Sequence, residues 1–185
     1  MTTFVALFRG INVGGRGRVG MNRLIELCES MGFTKVRTYL QSGNVVFDFP
    51  KNDPVHISEL IGEQISQIFA FPVEVILRNS IEFRQVIRHN PFLKENWVDN
   101  DTLYITFLSE HPREVLNDFL KSGEEGLDKY ILVGKEVYLS CPNGYGRTKF
   151  SNSFFEKKLG VAATTRNWKT INALADLAEG LAREA

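Results

Sequence analysis

Apolar residues in the first half of the chain recur alternately at strand and helix spacing. Phe4 to Arg9 is a short apolar run of strand length, and Met21, Leu24, Ile25, Cys28 and Met31 then follow at helical spacing until Gly32 supplies a stop. Thr34 to Gln41 alternates Val36, Thr38 and Leu40 against Lys35, Arg37 and Tyr39, and Ser42-Gly43-Asn44 turns it into a further strand, Val45 to Phe49. Asn52-Asp53-Pro54 caps a helix carrying Ile57, Leu60, Ile61, Ile65 and Ile68, with proline where the first turn tolerates it. Val73 to Leu77 reads as the next strand and Ser80 to Arg88 as a short closing helix. The order is βαββαβ plus one helix.

The second half repeats that order with different residues. Leu103 to Leu108 is a strand, Pro112 opens a helix to Lys121, and Tyr130 to Val133 pairs with Glu136 to Ser140 about Gly134-Lys135. Ser151 to Leu159 is a helix stopped by Gly160, Ala162 to Arg166 a short strand, and a last helix runs from near Trp168 to the C-terminus. Asn90 to Asp101 has linker composition, so the expected boundaries are 1–90, 91–101 and 102–185. The fold class is α+β, two tandem ferredoxin-like (α/β plait, βαββαβ) subdomains. That topology puts the loop after the first strand, Arg9 to Arg18, on one edge with Gln41 to Asn44. It likewise puts Asn143 to Lys149 beside Thr164 to Trp168.

Composition adds limits. The 185 residues are 43% hydrophobic and 24% charged, an ordinary globular balance. The N-terminal apolar run is cut by Arg9, which excludes a secretory or membrane segment there, and no later run approaches a span. Cys28 and Cys141 have no metal-type spacing and read as reduced core thiols of a cytoplasmic protein. Net charge is zero, yet Phe4 to Arg37 holds six basic residues against two acidic, and Gly144 to Ile171 six against one, around an acidic middle. Such polarity can draw an anion to one region, while zero net charge argues against a dedicated duplex-DNA binder.

Three polar clusters could meet that anion. Arg9-Gly10-Ile11-Asn12-Val13-Gly14-Gly15 opens a flexible loop after a strand, with backbone N–H groups and a guanidinium to surround an anion, although glycines also serve turn geometry. It has neither Walker nor dinucleotide-fingerprint spacing. Gln41-Ser42-Gly43-Asn44 concentrates hydrogen-bonding side chains at one hairpin. Thr164-Thr165-Arg166-Asn167-Trp168 offers hydroxyls, a fork donor, an amide and an indole at a helix start, suited to a phosphate and a base, or to a helix cap with a packed Trp168. Lys149 could hold a phosphate beside Arg147.

Phe8 to Gly15, Tyr39 to Phe47 and Thr165 to Trp168 together resemble the bacterial family known as domain of unknown function 1697, over almost the whole chain. The resemblance implies an α/β plait and carries no established activity. It marks Arg9, Asn12, Gln41, Ser42, Asn44, Arg166 and Asn167 as a shared site.

Catalytic constellations are weak. His56, His89 and His111 form no metal-type pair and read as surface or capping residues, and Glu124-Glu125 sits in a glycine-flanked loop. An RNA-recognition sheet needs aromatic stacking positions on its third strand, and Asn44 and Val46 stand where two of them belong, so Phe47 and Phe49 are expected to pack inward. The favoured reading is a binder, without metal or cofactor, of a small anionic ligand, nucleotide or short single-stranded nucleic acid. Its site would be Arg9, Asn12, Gly14, Gly15, Gln41, Ser42, Asn44, Lys149, Arg166, Asn167 and Trp168, held between the two plaits. The residues leave open an enzyme acting on a phosphorylated or nucleotide substrate, with Gln41, Ser42 or Asn44 positioning it. They also leave open a protein-interaction module whose motifs are structural, and they do not fix the oligomeric state.

Overall fold

The computed structural model describes residues 1–12, 18–50, 53–94, 99–112 and 128–183. The first series of elements is β1 (Thr2–Phe8), α1 (Met21–Ser30), β2 (Thr34–Thr38), β3 (Asn44–Phe49), α2 (Pro54–Phe69), β4 (Val75–Asn79) and α3 (Ser80–Arg88). The second is β5 (Leu103–Leu108), β6 (Lys129–Val133), β7 (Glu136–Ser140), α4 (Asn152–Leu159), β8 (Ala163–Asn167) and α5 (Trp168–Arg183). The helix expected beyond Pro112, and Glu124-Glu125, lie outside the described residues. In the expected linker, Pro91–Lys94 and Asn100–Thr102 form 3-10 turns.

The strands form two four-stranded antiparallel sheets, ordered β2-β3-β1-β4 and β6-β7-β5-β8. The protein is therefore mixed α+β. The two sheets correspond position by position: Ala6 lies opposite Val45 and Leu77, and Thr106 opposite Val137 and Thr165. Phe4 faces Phe47 and Asn79 as Tyr104 faces Leu139 and Asn167. Arg78-Asn79 at the end of β4 thus falls on the same register as Arg166-Asn167 at the end of β8. Both arginines are buried, and each donates Nη1 to the carbonyl just before it, Leu77 O or Thr165 O, at 2.9 Å. Each asparagine then opens a helix by accepting a backbone N–H, from Glu82 and from Thr170, at 2.8 Å.

The fold divides the chain into two compact units, Met1–Gln85 with Ala173–Ala185, and Val86–Asn172. The far end of α5, placed in the second half by sequence, groups with the first unit: Lys35 Nζ donates to Leu181 O at 3.2 Å, and Arg84 pairs with Glu179. The first unit's core joins Phe4, Ala6 and Phe8 of β1 to Leu24, Leu27 and Cys28 of α1 and Ile57, Ile61 and Ile65 of α2. Apart from Leu27, the helical members belong to the stripes legible in the sequence, while Ile68, expected on the α2 stripe, is exposed. Phe47 stacks on Phe33 at 4.3 Å between ring centroids and is fully buried, so it offers no surface to a base. In the second unit Tyr130, Phe150, Phe154 and Phe155 pack together against Leu139, Leu159 and Ala163.

Local departures have local causes. β4 starts at Val75, where pairing with Phe8 begins, and not at Val73; the lead-in crosses α2 at Gly62, where an added Cβ would stand 3.1 Å from Val73 O. β2 stops at Thr38, ahead of the left-handed turn at Leu40 (φ +59°), and within it the register shifts between Thr34 and Arg37, with Lys35 at φ +52°. That bulge sends Lys35 Nζ to within 3.4 Å of the buried Asp48 carboxylate, which also accepts Thr3 Oγ1 at 2.6 Å. No described helix is long and apolar enough to cross a membrane.

Candidate functional site

After β1 the chain turns through Gly10 (φ +76°) and Asn12 (φ +56°). Asparagine tolerates this left-handed backbone because its short side chain bonds locally. Asn12 Nδ2 donates to Val19 O at 3.0 Å and to Gln41 O at 2.8 Å, while its Oδ1 accepts Val19 N–H at 2.8 Å. One side chain therefore closes the neck of the loop and fastens it to the β2–β3 turn. Phe8 N–H donates to Gly43 O at 3.0 Å. Gly43, at φ +75°, is as close as a backbone can come: an added Cβ would lie 2.5 Å from Ile11 Cδ1 and 2.9 Å from Phe8 Cβ. Asn44 is buried and donates Nδ2 to Tyr39 O at 2.8 Å and to Ser42 Oγ at 3.1 Å. The shared edge expected from topology is present in this unit.

On this frame Asn12, Arg18, Val19, Gly20 and Gln41 line an open cleft of ≈ 440 Å³. Its floor includes the start of α1, whose N-cap is Gly20 and whose first turn holds no acidic residue. The first N–H groups of a helix have no acceptor within it and carry the positive end of its dipole. Side chains satisfy that end in the other described α-helices, through Asn79, Asp53, Ser151 and Asn167. Arg18 is exposed beside the cleft, and Arg23 is held over the Phe69 ring at 5.2 Å. Arg18, Val19 and Gly20 were not among the residues expected from sequence. The signal was there, a glycine directly before the helical stripe with an arginine two positions earlier.

Of the other expected residues, Arg9 is half-buried and its backbone N–H donates to Glu74 O at 2.9 Å. Gln41 and Ser42 are exposed. Gly14 and Gly15 lie outside the described residues. In the second unit Arg166 is 9% exposed, and its Nη1 also reaches Thr164 Oγ1 at 2.8 Å. Asn167 is the cap of α5, Trp168 is half-buried, and Lys149 is exposed.

A second polar cluster joins Thr165, one of the hydroxyls expected at this edge, to Thr106, Asn152 and Tyr145, which were not expected. Thr165 Oγ1 lies 2.7 Å from Thr106 Oγ1 and donates to Asn152 Oδ1 at 2.6 Å. Tyr145 OH reaches both Thr165 Oγ1 at 3.0 Å and Asn152 Oδ1 at 3.3 Å. This fixes the 143–149 loop to β8, the second shared edge that topology implied.

Both cysteines are buried and free; burial first, with a nearby carboxylate second, pushes the Cys28 thiol up to about 12 and the Cys141 thiol to about 11. Neither can serve as a nucleophile near neutral pH. His56, His89 and His111 are exposed, and no group of three or more His, Cys, Asp or Glu among the described residues could hold a metal ion.

A conserved bacterial protein, SP0830 from Streptococcus pneumoniae, has a similar solved structure, with 22% sequence identity and a TM-score of 0.65 over 96% of this chain and 98% of that one. At this identity the likeness concerns fold alone. Curated proteins give no match. A family model matches residues 1–138, taking in the Asn12 loop and the Gln41 to Asn44 turn and ending before Lys149 and Arg166. The chain belongs to this family, described as a protein of unknown function (DUF1697).

Proposed function

We propose that the first unit binds a small phosphorylated ligand or nucleotide in the cleft at the start of α1. The observation that carries this is a helix N-terminus capped by Gly20 alone, with no acidic residue in its first turn, opening into a cleft lined by Arg18, Gln41 and Asn12. A phosphate there would accept the first backbone N–H groups of α1 and a charge-assisted bond from Arg18, with Gln41 supplying a neutral donor or acceptor. Asn12 acts by holding the two walls in register. Lys149, Arg166, Asn167 and Trp168 belong to the second unit, and this reading does not use them.

A second reading, that the motifs are structural, is favoured at Asn12 and Asn44, whose side chains are engaged with their own loops. It does not account for the cleft. The fold is read as two tandem ferredoxin-like plaits, supported by two sheets of the same order and register. A cytoplasmic location suits the two free, buried thiols.

A thermal-shift screen against inorganic phosphate, nucleotides and sugar phosphates tests the site. Ligand at about 100 times its dissociation constant contributes about 2.7 kcal/mol, a rise of roughly 5 to 10 °C for a chain of this size. The rise is expected to vanish in Arg18→Ala. A flat screen, or a rise untouched by Arg18→Ala, contradicts the reading.

A further inference from the structure

The hydroxyl and amide cluster of the second unit has no counterpart in the first. On equivalent register the first sheet has Ala6 and Leu77, both buried and apolar, where the second has Thr106 and Thr165. What the polar pair does, with Asn152, is fix Tyr145 OH. The loop behind it is hydrogen-bonded at nearly every turn: Gly144 N–H to Cys141 O at 2.9 Å, Arg147 N–H to Gly144 O at 3.1 Å, Thr148 N–H to Tyr145 O at 3.3 Å and Ser151 N–H to Lys149 O at 2.9 Å. Tyr145 thereby stands 5.3 Å from Tyr104, ring to ring, tilted by 31°, with both rings half-buried. Arg147 and Lys149 are exposed on the same loop, and exposed Asn167 lies opposite Tyr104 across the β5–β8 pairing. A loop that only kept charges in water would gain nothing from being held so firmly.

We propose that Tyr104, Tyr145, Arg147, Lys149 and Asn167 form a surface for single-stranded nucleic acid. Aromatic rings stack on any unpaired base, and fixed cations follow the phosphodiester backbone. Holding the Tyr145 ring and the backbone that carries both cations in place beforehand lowers the ordering cost of binding. A duplex hides its base faces and demands a broad basic surface, which a chain of zero net charge does not offer. The inference is independent of the α1 cleft, since it uses no residue of the first unit.

The test is fluorescence anisotropy of the full chain with labelled oligo-dT and oligo-rU of about 10 nucleotides, beside a duplex of the same length. Both single strands are expected to bind at low salt, with the two arms showing whether DNA or RNA is preferred and the duplex at least several-fold weaker. Arg147→Ala with Lys149→Ala should weaken binding about ten-fold or more and flatten the slope of log affinity against log salt by about 1.4, or about 0.7 for each phosphate left without its cation. Lys157→Ala with Lys158→Ala removes equal charge from the last turn of α4 and should change affinity less than about two-fold. Tyr104→Leu should weaken binding while the salt slope stays as in the parent, a pattern expected of lost stacking. No binding at low salt, equal losses in the two double variants, or a duplex bound as tightly as the single strands would each overturn the proposal.

Discussion

At Asn12 a left-handed backbone and a side chain making three hydrogen bonds occur together, and substitution separates them. Asn12→Gly keeps the backbone relaxed and loses the bonds; Asn12→Ala loses the bonds and adds backbone strain. Urea denaturation should place both below the parent by about 1–3 kcal/mol, with alanine about 1 kcal/mol below glycine. If alanine proves the more stable of the two, the left-handed turn does not persist in solution. Gly43→Ala should cost about 2–4 kcal/mol, since its Cβ meets Ile11 and Phe8 at a positive φ. Adding Ile11→Ala should recover part of that loss, as substitutions at touching residues are not additive. Cys28 tests burial through pH. Its thiol is raised from 9.0 to about 12, so the stability tied to its neutral form is complete below pH 9.0 and is lost as pH rises toward 12. Between those limits the parent should lose up to about 1.4 kcal/mol per pH unit more than Cys28→Ala.

Among the described residues the order of strands and helices was legible because the apolar period switches cleanly, at Met21 to Met31 and again from Ile57. Glycine punctuation held as well: Gly32, Gly134 and Gly160 all take positive φ at the stops and turns expected of them. What escaped depends on pairing between distant strands. Composition gives no warning that Lys35 sits in a bulge, or that Thr106 and Thr165 meet through their hydroxyls. The Arg-Asn pair shared by β4 and β8 escaped because two letters become a repeat only when their register is known. Equivalent register also gives a prediction. Copying the first unit into the second, Thr106→Ala with Thr165→Leu, removes both members of a part-buried hydroxyl pair, leaves Tyr145 OH and Asn152 Oδ1 bonded to each other, and should leave the thermal midpoint within a few degrees of the parent. Thr165→Leu alone should cost more than the double, because it strands the buried Thr106 hydroxyl, whereas Thr106→Ala leaves Thr165 bonded to Asn152 and Tyr145. A double variant that unfolds early would show the network to be part of the fold and not a mount for Tyr145.

In the whole molecule, the sequence located two polar edges and the structure describes each within its own unit. The Asn12 loop meets the Gln41 to Asn44 turn, and the Tyr145 loop meets β8. Within the first edge the expected residues sort by what their side chains already do. Asn12 and Asn44 are engaged in holding loops, whereas Gln41 faces the cleft with Arg18 and Gly20. Chemical type alone could not sort them, since an asparagine that clasps a loop and one that waits for a ligand read alike. The start of α1, capped by Gly20 alone, is proposed to receive a phosphate. This is tested most directly by following backbone amide resonances during titration with inorganic phosphate and then with a nucleotide. The N–H signals of Met21, Asn22 and Arg23 should move first and furthest, with Val19 and Gln41 beside them, and Arg18→Ala should abolish the movement. Signals that stay fixed at Met21, Asn22 and Arg23 while others move, or that never move, would contradict it.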